Sequence, residues 1–389
     1  MNNFVYDIPV KVYFGENQLG NLTPELLKFG KRVLLTYGGG SIKRSGLYDR
    51  VIAELKAADC TVFELSGIEP NPRIDSVRKG AKMCKEHNID VLLAVGGGST
   101  IDATKFMAAG ACVEHDACES FCANAKPIER ALPIVTILTL SATGSEMDAG
   151  GVITNLETQD KLGRMAAPML PKVSFLDPTL TYTVSPYQTA CGAADMMSHI
   201  LEVYFNLNED LFMLDSMMEA MLKTIVKFAP VAIAEPENYE ARANLMWCSS
   251  WAINGFINGG RRKAWSCHPM EHELSAIYDI AHGHGLAILT PRWMEYCLEE
   301  SNAHRYVSLG VNVFGIDPKG EPMAIAKECI ERMREFMSVT LNLPYTFTEV
   351  GIKREDFATM ARKACRYGAI RGFKTLEPQD VERIYEMCI

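Results

Sequence analysis

Apolar positions in the first 180 residues fall into short unbroken runs, each followed by a stretch with helical spacing. Residues 32–37 (RVLLTY), 61–65 (TVFEL), 90–95 (DVLLAV) and 133–140 (PIVTILTL) have the continuous apolar character of strands buried on both faces. Residues 42–58 bring Leu47, Val51 and Leu55 to one helix face, residues 75–87 read as a second helix, and a third is expected to open near Thr100. Strands and helices in alternation predict a parallel sheet covered on both sides. From 151 to 175 the pattern shortens to β segments, with 156–160 (LETQD) as a hairpin turn. After Leu176-Asp177-Pro178 amphipathic helical patterns run to the C-terminus, interrupted by turns such as 234–238 (AEPEN). The expected division is an α/β domain over 1–180 and an all-helical domain over 181–389. The Met-rich run 212–221 reads as the core face of a helix.

Composition narrows the class. A chain of 389 residues exceeds what one hydrophobic core sustains, which agrees with two domains. With 48% hydrophobic and 22% charged residues it is globular, and a net charge of −9 without a basic stretch argues against a nucleic-acid partner. No apolar run reaches membrane-spanning length, and the N-terminus (MNNFVYDIPV) lacks a basic segment followed by an apolar one, so no anchor or signal peptide is expected. The twelve cysteines are scattered without a CxxC pair, the usage of reduced thiols in the cytoplasm. Cys118 and Cys122 can share a helix face and Cys267 adjoins His268; all three read as packing residues.

The chemistry concentrates in 264–286 (AWSCHPMEHELSAIYDIAHGHGL), where His268, His272, His282 and His284 make up half of the eight histidines. Upstream, Asp195 and His199 stand at i, i+4, which puts a carboxylate and an imidazole one turn apart on one helix face. Asp195, His199, His268 and His282 are expected to close around one divalent metal. His268 and His282 cannot meet across one continuous helix, because fourteen residues would separate them by about 21 Å. The chain must double back, and a helix over 269–278 followed by Asp279, Gly283 and Gly285 supplies the means. Pro269 suits a first turn, leaving His268 near the helix N-cap and His282 at the start of the next element.

Two glycine turns follow strands and open helices, the arrangement that holds phosphate at the carboxyl edge of a parallel sheet. Gly96, Gly97, Gly98 and Ser99, with Asp102, form the expected pyrophosphate cradle. Gly38-Gly39-Gly40-Ser41 begins like the dinucleotide fingerprint but has Lys43 at its third glycine position. The turn has no acidic side chain to repel a 2′-phosphate, and Lys43 and Arg44 follow it. That favours NADP(H) over NAD(H), with Glu64 at the end of the second strand as the opposing feature. A third loop, 139–146 (TLSATGSE), is rich in hydroxyls that can bond phosphate or ribose.

These motifs, above all Gly96–Asp102 (GGGSTID), 142–146 (ATGSE), Asp195-x-x-x-His199 and the span from His268 to Gly283, resemble the iron-containing (group III) alcohol dehydrogenases along essentially the whole chain. The resemblance is closest to their NADPH-dependent butanol dehydrogenase and aldehyde reductase branch. It implies a Rossmann-like α/β N-terminal domain binding the dinucleotide and an all-α C-terminal domain binding the metal, an architecture shared with dehydroquinate synthase, and a homodimer. Carried over position by position, it puts the metal on Asp195, His199, His268 and His282, and His272 beside the nicotinamide. Cofactor contacts fall on Gly38, Gly39, Ser41, Gly96 to Ser99, Thr139, Thr143, Ser145 and the hairpin lysine Lys161. Asp148, where a neutral amide is expected, and Leu140, in place of a second hydroxyl, depart from the pattern. The expected reaction is reversible hydride transfer between NADP(H) and a primary alcohol or aldehyde such as butanol or butyraldehyde. Fe²⁺ is favoured by the family, Zn²⁺ is compatible, and His272 is the candidate proton relay. A polyol dehydrogenase of the glycerol type is an alternative. A dehydroquinate synthase-like lyase would need a basic cluster, and only Arg261, Arg262 and Lys263 stand near the histidines.

Overall fold

The computed structural model describes residues 3–116, 126–205, 211–260 and 265–389. Cys118, Cys122, Ala264, Arg261, Arg262 and Lys263 lie outside the described residues. The chain separates into two compact units, one of residues 7–184 with 237–254, the other of residues 1–6, 185–236 and 255–389.

The first unit is built on a six-stranded, all-parallel sheet. Its strands are β1 (Lys11–Phe14), β2 (Arg32–Tyr37), β3 (Thr61–Leu65), β4 (Val91–Gly96), β5 (Ile134–Leu138) and, after a hairpin of β6 (Gly150–Asn155) and β7 (Asp160–Met165), β8 (Val173–Leu176). Their spatial order is β1-β8-β5-β4-β2-β3. Helices α1 (Leu22–Leu26), α2 (Ser41–Arg44), α3 (Leu47–Ala57), α4 (Ile74–Glu86) and α5 (Gly98–Gly110) supply the connections. Alternate side chains of each strand go to opposite faces, so Val33, Leu35, Val91 and Leu93 pack with Leu47, Val51 and Leu55 of α3, while Leu34 and Leu92 pack with Val77 and Phe106 of α4 and α5. All of these are fully buried, each contributing about 1.5–3 kcal/mol of hydrophobic stabilisation.

The order reverses beside β2: β3 lies on one side of it and β4 on the other, in register from Val33↔Val91 to Tyr37↔Val95. A parallel sheet binds ligands at such a switch point, beyond the carboxyl ends of its strands. Both glycine turns leave from this place.

The second unit is helical: α6 (Pro186–Tyr204), α7 (Phe212–Ala234), α9 (Cys267–Tyr278), α10 (His282–Cys297), α11 (Ala303–Phe314), α12 (Pro322–Glu335), α13 (Phe357–Ala364) and α14 (Pro378–Glu386). The intervening helix α8 (Tyr239–Ile253) packs with the first unit. The Met-rich run lies on α7, where Leu214, Met218 and Leu222 are buried and Met213 is exposed.

The structure corrects several element boundaries. The helix expected over 42–58 is two helices, α2 and α3, parted at Gly46, whose φ of 75° no helix accommodates. The helix expected to open near Thr100 begins at Gly98, so Gly98 and Ser99 lie inside its first turn. The edge strand β1, with Lys11 and Phe14 exposed and Val12 and Tyr13 half-buried, has no continuous apolar run to announce it. Between α9 and α10 the chain reverses at Asp279, which takes a left-handed φ of 52°. Gly283 and Gly285 do not make the turn; both sit in the first turn of α10.

Candidate functional site

Helix α6 carries the first half of the cluster. Ser185 caps it by accepting from the Gln188 amide, Pro186 opens it, and every residue from Thr189 to Tyr204 is buried. Buried on all sides, α6 can carry an ionisable residue only where a partner meets it. His199 Nε2 stands 3.4 Å from Asp195 Oδ1. His268, in the first turn of α9, and His282, the first residue of α10, bring their Nε2 atoms to 3.9 and 3.7 Å from the same oxygen. One donor atom each from Asp195, His268 and His282 lies within 4.8 Å of the others. Two donors bound at about 2.1 Å to one cation stand about 3–4 Å apart, depending on the angle between them, so these spacings suit a shared ion. Asp195 Oδ1 and His268 Nε2 are buried and have no hydrogen-bond partner among the described residues. A carboxylate oxygen and an imidazole nitrogen left this way carry a desolvation penalty that a divalent cation would offset, so the residues fit a metal.

Two glutamates stand behind two of the imidazoles. Glu202, from α6, places Oε1 2.5 Å from His268 Nδ1, and Glu271, from α9, has Oε2 against His282 Nδ1. Both glutamates are fully buried. Burial draws the His268 pKa down, but the charge and hydrogen bond of Glu202, followed by the charges of Asp195 and Glu271, more than reverse it, and the net shift is upward. Neither glutamate was singled out from the sequence. The available signal was an acidic residue at a buried helical position: Glu202 lies seven residues after Asp195 and Glu271 three after His268.

The remaining histidines divide. His272 is half-buried, its ring centroid 5.6 Å from that of His282 and 6.2 Å from that of His268, and it groups with Glu271 and His282 rather than with Asp195. His284 engages the Tyr187 hydroxyl through Nδ1 and the Pro344 carbonyl through Nε2, so both of its ring nitrogens are taken. Trp265 packs edge-on against His268 and His199, and Phe256 lies against Tyr6. Burial raises the Cys267 pKa well above the thiol range, so it remains a thiol beside His268.

In the α/β unit the three loops read from the sequence emerge side by side from β2, β4 and β5. The Thr139 amide bonds the Gly96 carbonyl, which ties the third loop to the second. Two glycines are required by the protein's own packing: a Cβ at Gly98 would stand 2.2 Å from Thr143 Oγ1, and one at Gly96 would stand 2.5 Å from Thr100 Oγ1. At Gly97 the nearest side chain is Leu140, 3.2 Å away, and at Gly39 a Cβ would meet nothing within 4 Å. Asp102 joins the loops from within: Oδ1 accepts from the Ser145 hydroxyl and Oδ2 from the Val152 amide, and burial pushes its pKa up to about 6. Asp102 and Ser145 therefore brace one another, while Thr143 Oγ1 accepts from the Ser145 amide. Ser41 is the first residue of α2, behind Gly40 at φ 98°. Lys161, on β7, is buried and donates to Asn71 Oδ1.

Asp148 does not stand alone. Its carboxylate accepts from Lys105 Nζ at 2.6 Å, and Lys105, with no exposed surface, also donates to the Gly150 carbonyl. This ion pair closes the hairpin base onto α5.

The model of the iron-containing alcohol dehydrogenase family matches residues 9–178, and that of the C-terminal part of the Fe-containing alcohol dehydrogenase family matches residues 189–389. The chain is 49% identical to the NADH-dependent butanol dehydrogenase A of Clostridium acetobutylicum over 388 residues, 99% of each chain. It is 36% identical to the NADPH-dependent aldehyde reductase of Escherichia coli over 371 residues, 95% of this chain and 94% of the other. Among solved structures, the NADH-dependent butanol dehydrogenase A of Thermotoga maritima superposes with a TM-score of 0.95 at 37% identity, covering 100% of this chain and 99% of that one.

Proposed function

The chain belongs to the iron-containing alcohol dehydrogenase family, and on that premise we propose that it transfers hydride reversibly between a nicotinamide dinucleotide and a primary alcohol or its aldehyde, with butanol and butyraldehyde as the representative pair. The observation that carries this reading is the convergence of three imidazole Nε2 atoms on Asp195 Oδ1. We assign Asp195, His199, His268 and His282 to one divalent cation. Three imidazoles and a carboxylate, without a thiolate, suit Fe²⁺ or Zn²⁺, and the family favours iron. Such a cation supplies Lewis acidity toward the substrate oxygen. The chain's own contribution is to hold these donors on three buried helices and to seat the dinucleotide on the loops at Gly38–Ser41, Gly96–Ser99 and Thr139–Ser145, with Lys161 beside them. His272, half-buried next to His282, is assigned to pass the alcohol proton toward solvent. The two units then act as a dinucleotide-binding and a metal-binding domain.

The test is oxidation of the reduced dinucleotide with butyraldehyde, before and after chelation. Activity should vanish with the metal and return with Fe²⁺ or Zn²⁺. Undiminished activity in a protein stripped of metal would end the assignment. In the same assay His272→Ala should keep its cation and turn over more slowly; unaltered kinetics would remove it from the proton path.

For the dinucleotide we propose NADP(H). The turn at Gly38 to Ser41 has no carboxylate, and Glu64 has one oxygen accepting from the Tyr37 hydroxyl and the other from the Tyr48 hydroxyl, each at 2.8 Å. Lys43 Nζ lies over both rings, so positive charge borders the turn. The relatives differ in name on this point, NADH-dependent in Clostridium acetobutylicum and NADPH-dependent in Escherichia coli. Gly39→Asp is the clean probe, because a side chain there has open space whereas at Gly38 the Ile68 carbonyl stands 3.2 Å away. Repulsion of about 2 kcal/mol between carboxylate and 2′-phosphate should lower kcat/KM for NADPH about thirtyfold relative to NADH. Equal losses with both cofactors would exclude the turn from the phosphate site.

We further propose a homodimer in the cytoplasm, which sedimentation and fractionation would test. The ten cysteines among the described residues are all free, as a reducing compartment keeps them.

A further inference from the structure

We propose that Glu202 and Glu271 are positioning residues for the cation centre: each takes the Nδ1–H of one imidazole and so fixes the tautomer whose Nε2 lone pair faces Asp195. The inference rests on the reading of Asp195, His268 and His282 as cation ligands.

The hydrogen bonds around Glu202 leave little freedom. One oxygen, Oε2, accepts the backbone amides of Ser266 and Cys267, the latter at 2.8 Å. The other, Oε1, accepts the Ser198 hydroxyl at 3.0 Å and faces His268 Nδ1 at 2.5 Å. Backbone amides only donate, so Glu202 serves as an acceptor throughout, and in the neutral imidazole the Nδ1 proton it holds puts the lone pair on Nε2. Glu202 thereby also does what the N-cap of α9 does not: the Ser266 side chain makes no capping bond there. A glutamine would have to turn its NH₂ toward either two backbone donors or the imidazole.

Glu271 repeats the arrangement for His282, with Oε2 against Nδ1 and Oε1 accepting the Ser275 hydroxyl one turn on. Room for it comes from Gly285, where a Cβ would stand 2.8 Å from Glu271 Cγ and 2.9 Å from Oε1. His282 is thus held by two acids through its two nitrogens: Nδ1 belongs to Glu271, and Nε2 is directed at Asp195. Carboxylates behind metal-bound imidazoles orient the ring and raise its basicity, and their loss typically weakens metal affinity about 10–100-fold.

The deciding experiment titrates metal-free full-length protein with Co²⁺, reading affinity and ligand-field spectrum from the visible absorption, with apo-protein melting measured alongside. Glu271→Gln should bind Co²⁺ about 10–100-fold more weakly with an altered spectrum and an unchanged apo Tm. Glu271→Asp should recover part of the affinity. Glu202→Gln should lose affinity and also apo Tm, since it uncaps α9. Wild-type affinity and spectrum in Glu271→Gln, or a loss of affinity matched by a loss of apo stability in that variant, would overturn the positioning role. His268→Ala separates the two levels of inference. If it abolishes binding while Glu271→Gln binds Co²⁺ with wild-type affinity, only the positioning role falls; if His268→Ala itself binds Co²⁺ like wild type, the ligand assignment falls.

Discussion

Asp195→Asn is expected to give a folded protein that has lost its cation and its turnover together. The substitution is isosteric and removes the one negative charge among the four proposed ligands, the charge on which His199, His268 and His282 converge. Two unit charges about 4 Å apart interact by about 4 kcal/mol at an effective dielectric of about 20, and a bonded divalent ion by more, so the affinity loss should be about a thousandfold at least. Without a cation the sign reverses. Asp195 Oδ1 is buried without a hydrogen-bond partner among the described residues, so neutralising it relieves a desolvation penalty, and the metal-free variant should melt no lower than metal-free wild type. Wild type should gain stability on metal addition, about 2.7 kcal/mol at a hundredfold excess over Kd, and the variant should gain none under the same conditions. Metal analysis and paired melting curves check both halves. One equivalent of iron or zinc in the purified variant would sink the assignment.

The grouping of Asp195, His199, His268 and His282 was legible in the sequence as far as its geometry is local. Asp195 and His199 share a helix face by spacing alone, and His268 and His282 had to lie on separate elements because one helix would part them. Strands β2 and β3 begin and end where their apolar runs do. What could not be read depended on contacts distant in sequence. Glu202 caps a helix 64 residues further on, and no local pattern distinguishes it from an acid on a solvated face. Lys105, in a stretch that otherwise reads as apolar helix, is explained only by Asp148 across the hairpin base. Helix α8 has almost no one-sided apolar pattern, and its place with the α/β unit is set by the loop after β5. There Gly144, at φ 65°, lies so near the Ser249 carbonyl that a Cβ would stand 2.6 Å away, and the Ser250 hydroxyl bonds the buried Glu146 carboxyl, whose pKa burial pushes up to about 7. Gly283 and Gly285 were visible as glycines, yet their usual association with turns pointed to the wrong cause.

That cause is close packing, and Gly283→Ala should expose it. In an ordinary helix the substitution stabilises by about 1 kcal/mol, since alanine is the better helix former. Here an added Cβ would stand 1.9 Å from the Cys191 carbonyl oxygen and 2.6 Å from its carbon. These are backbone atoms of α6, one turn before Asp195, and no rotamer change can move them. The first turn of α10 must back away from α6, carrying the adjacent His282 from the oxygen it faces at 3.7 Å. Overpacking of this kind costs about 1–3 kcal/mol and occasionally more, and against backbone the upper end is expected. For a unit of this size about 3 kcal/mol lowers Tm by about 6–12 °C. Metal affinity should fall in the same variant, because the separation of the two helices is also the separation of His282 from Asp195. Gly20→Ala, where a Cβ meets nothing within 4 Å, is the matched control and should leave both Tm and metal content unchanged. Gly285→Ala should fall between them in stability, because its clash is with the Glu271 side chain, which can swing aside. A Gly283→Ala protein with wild-type melting and full metal would mean that α6 and α10 do not approach as closely as this site requires.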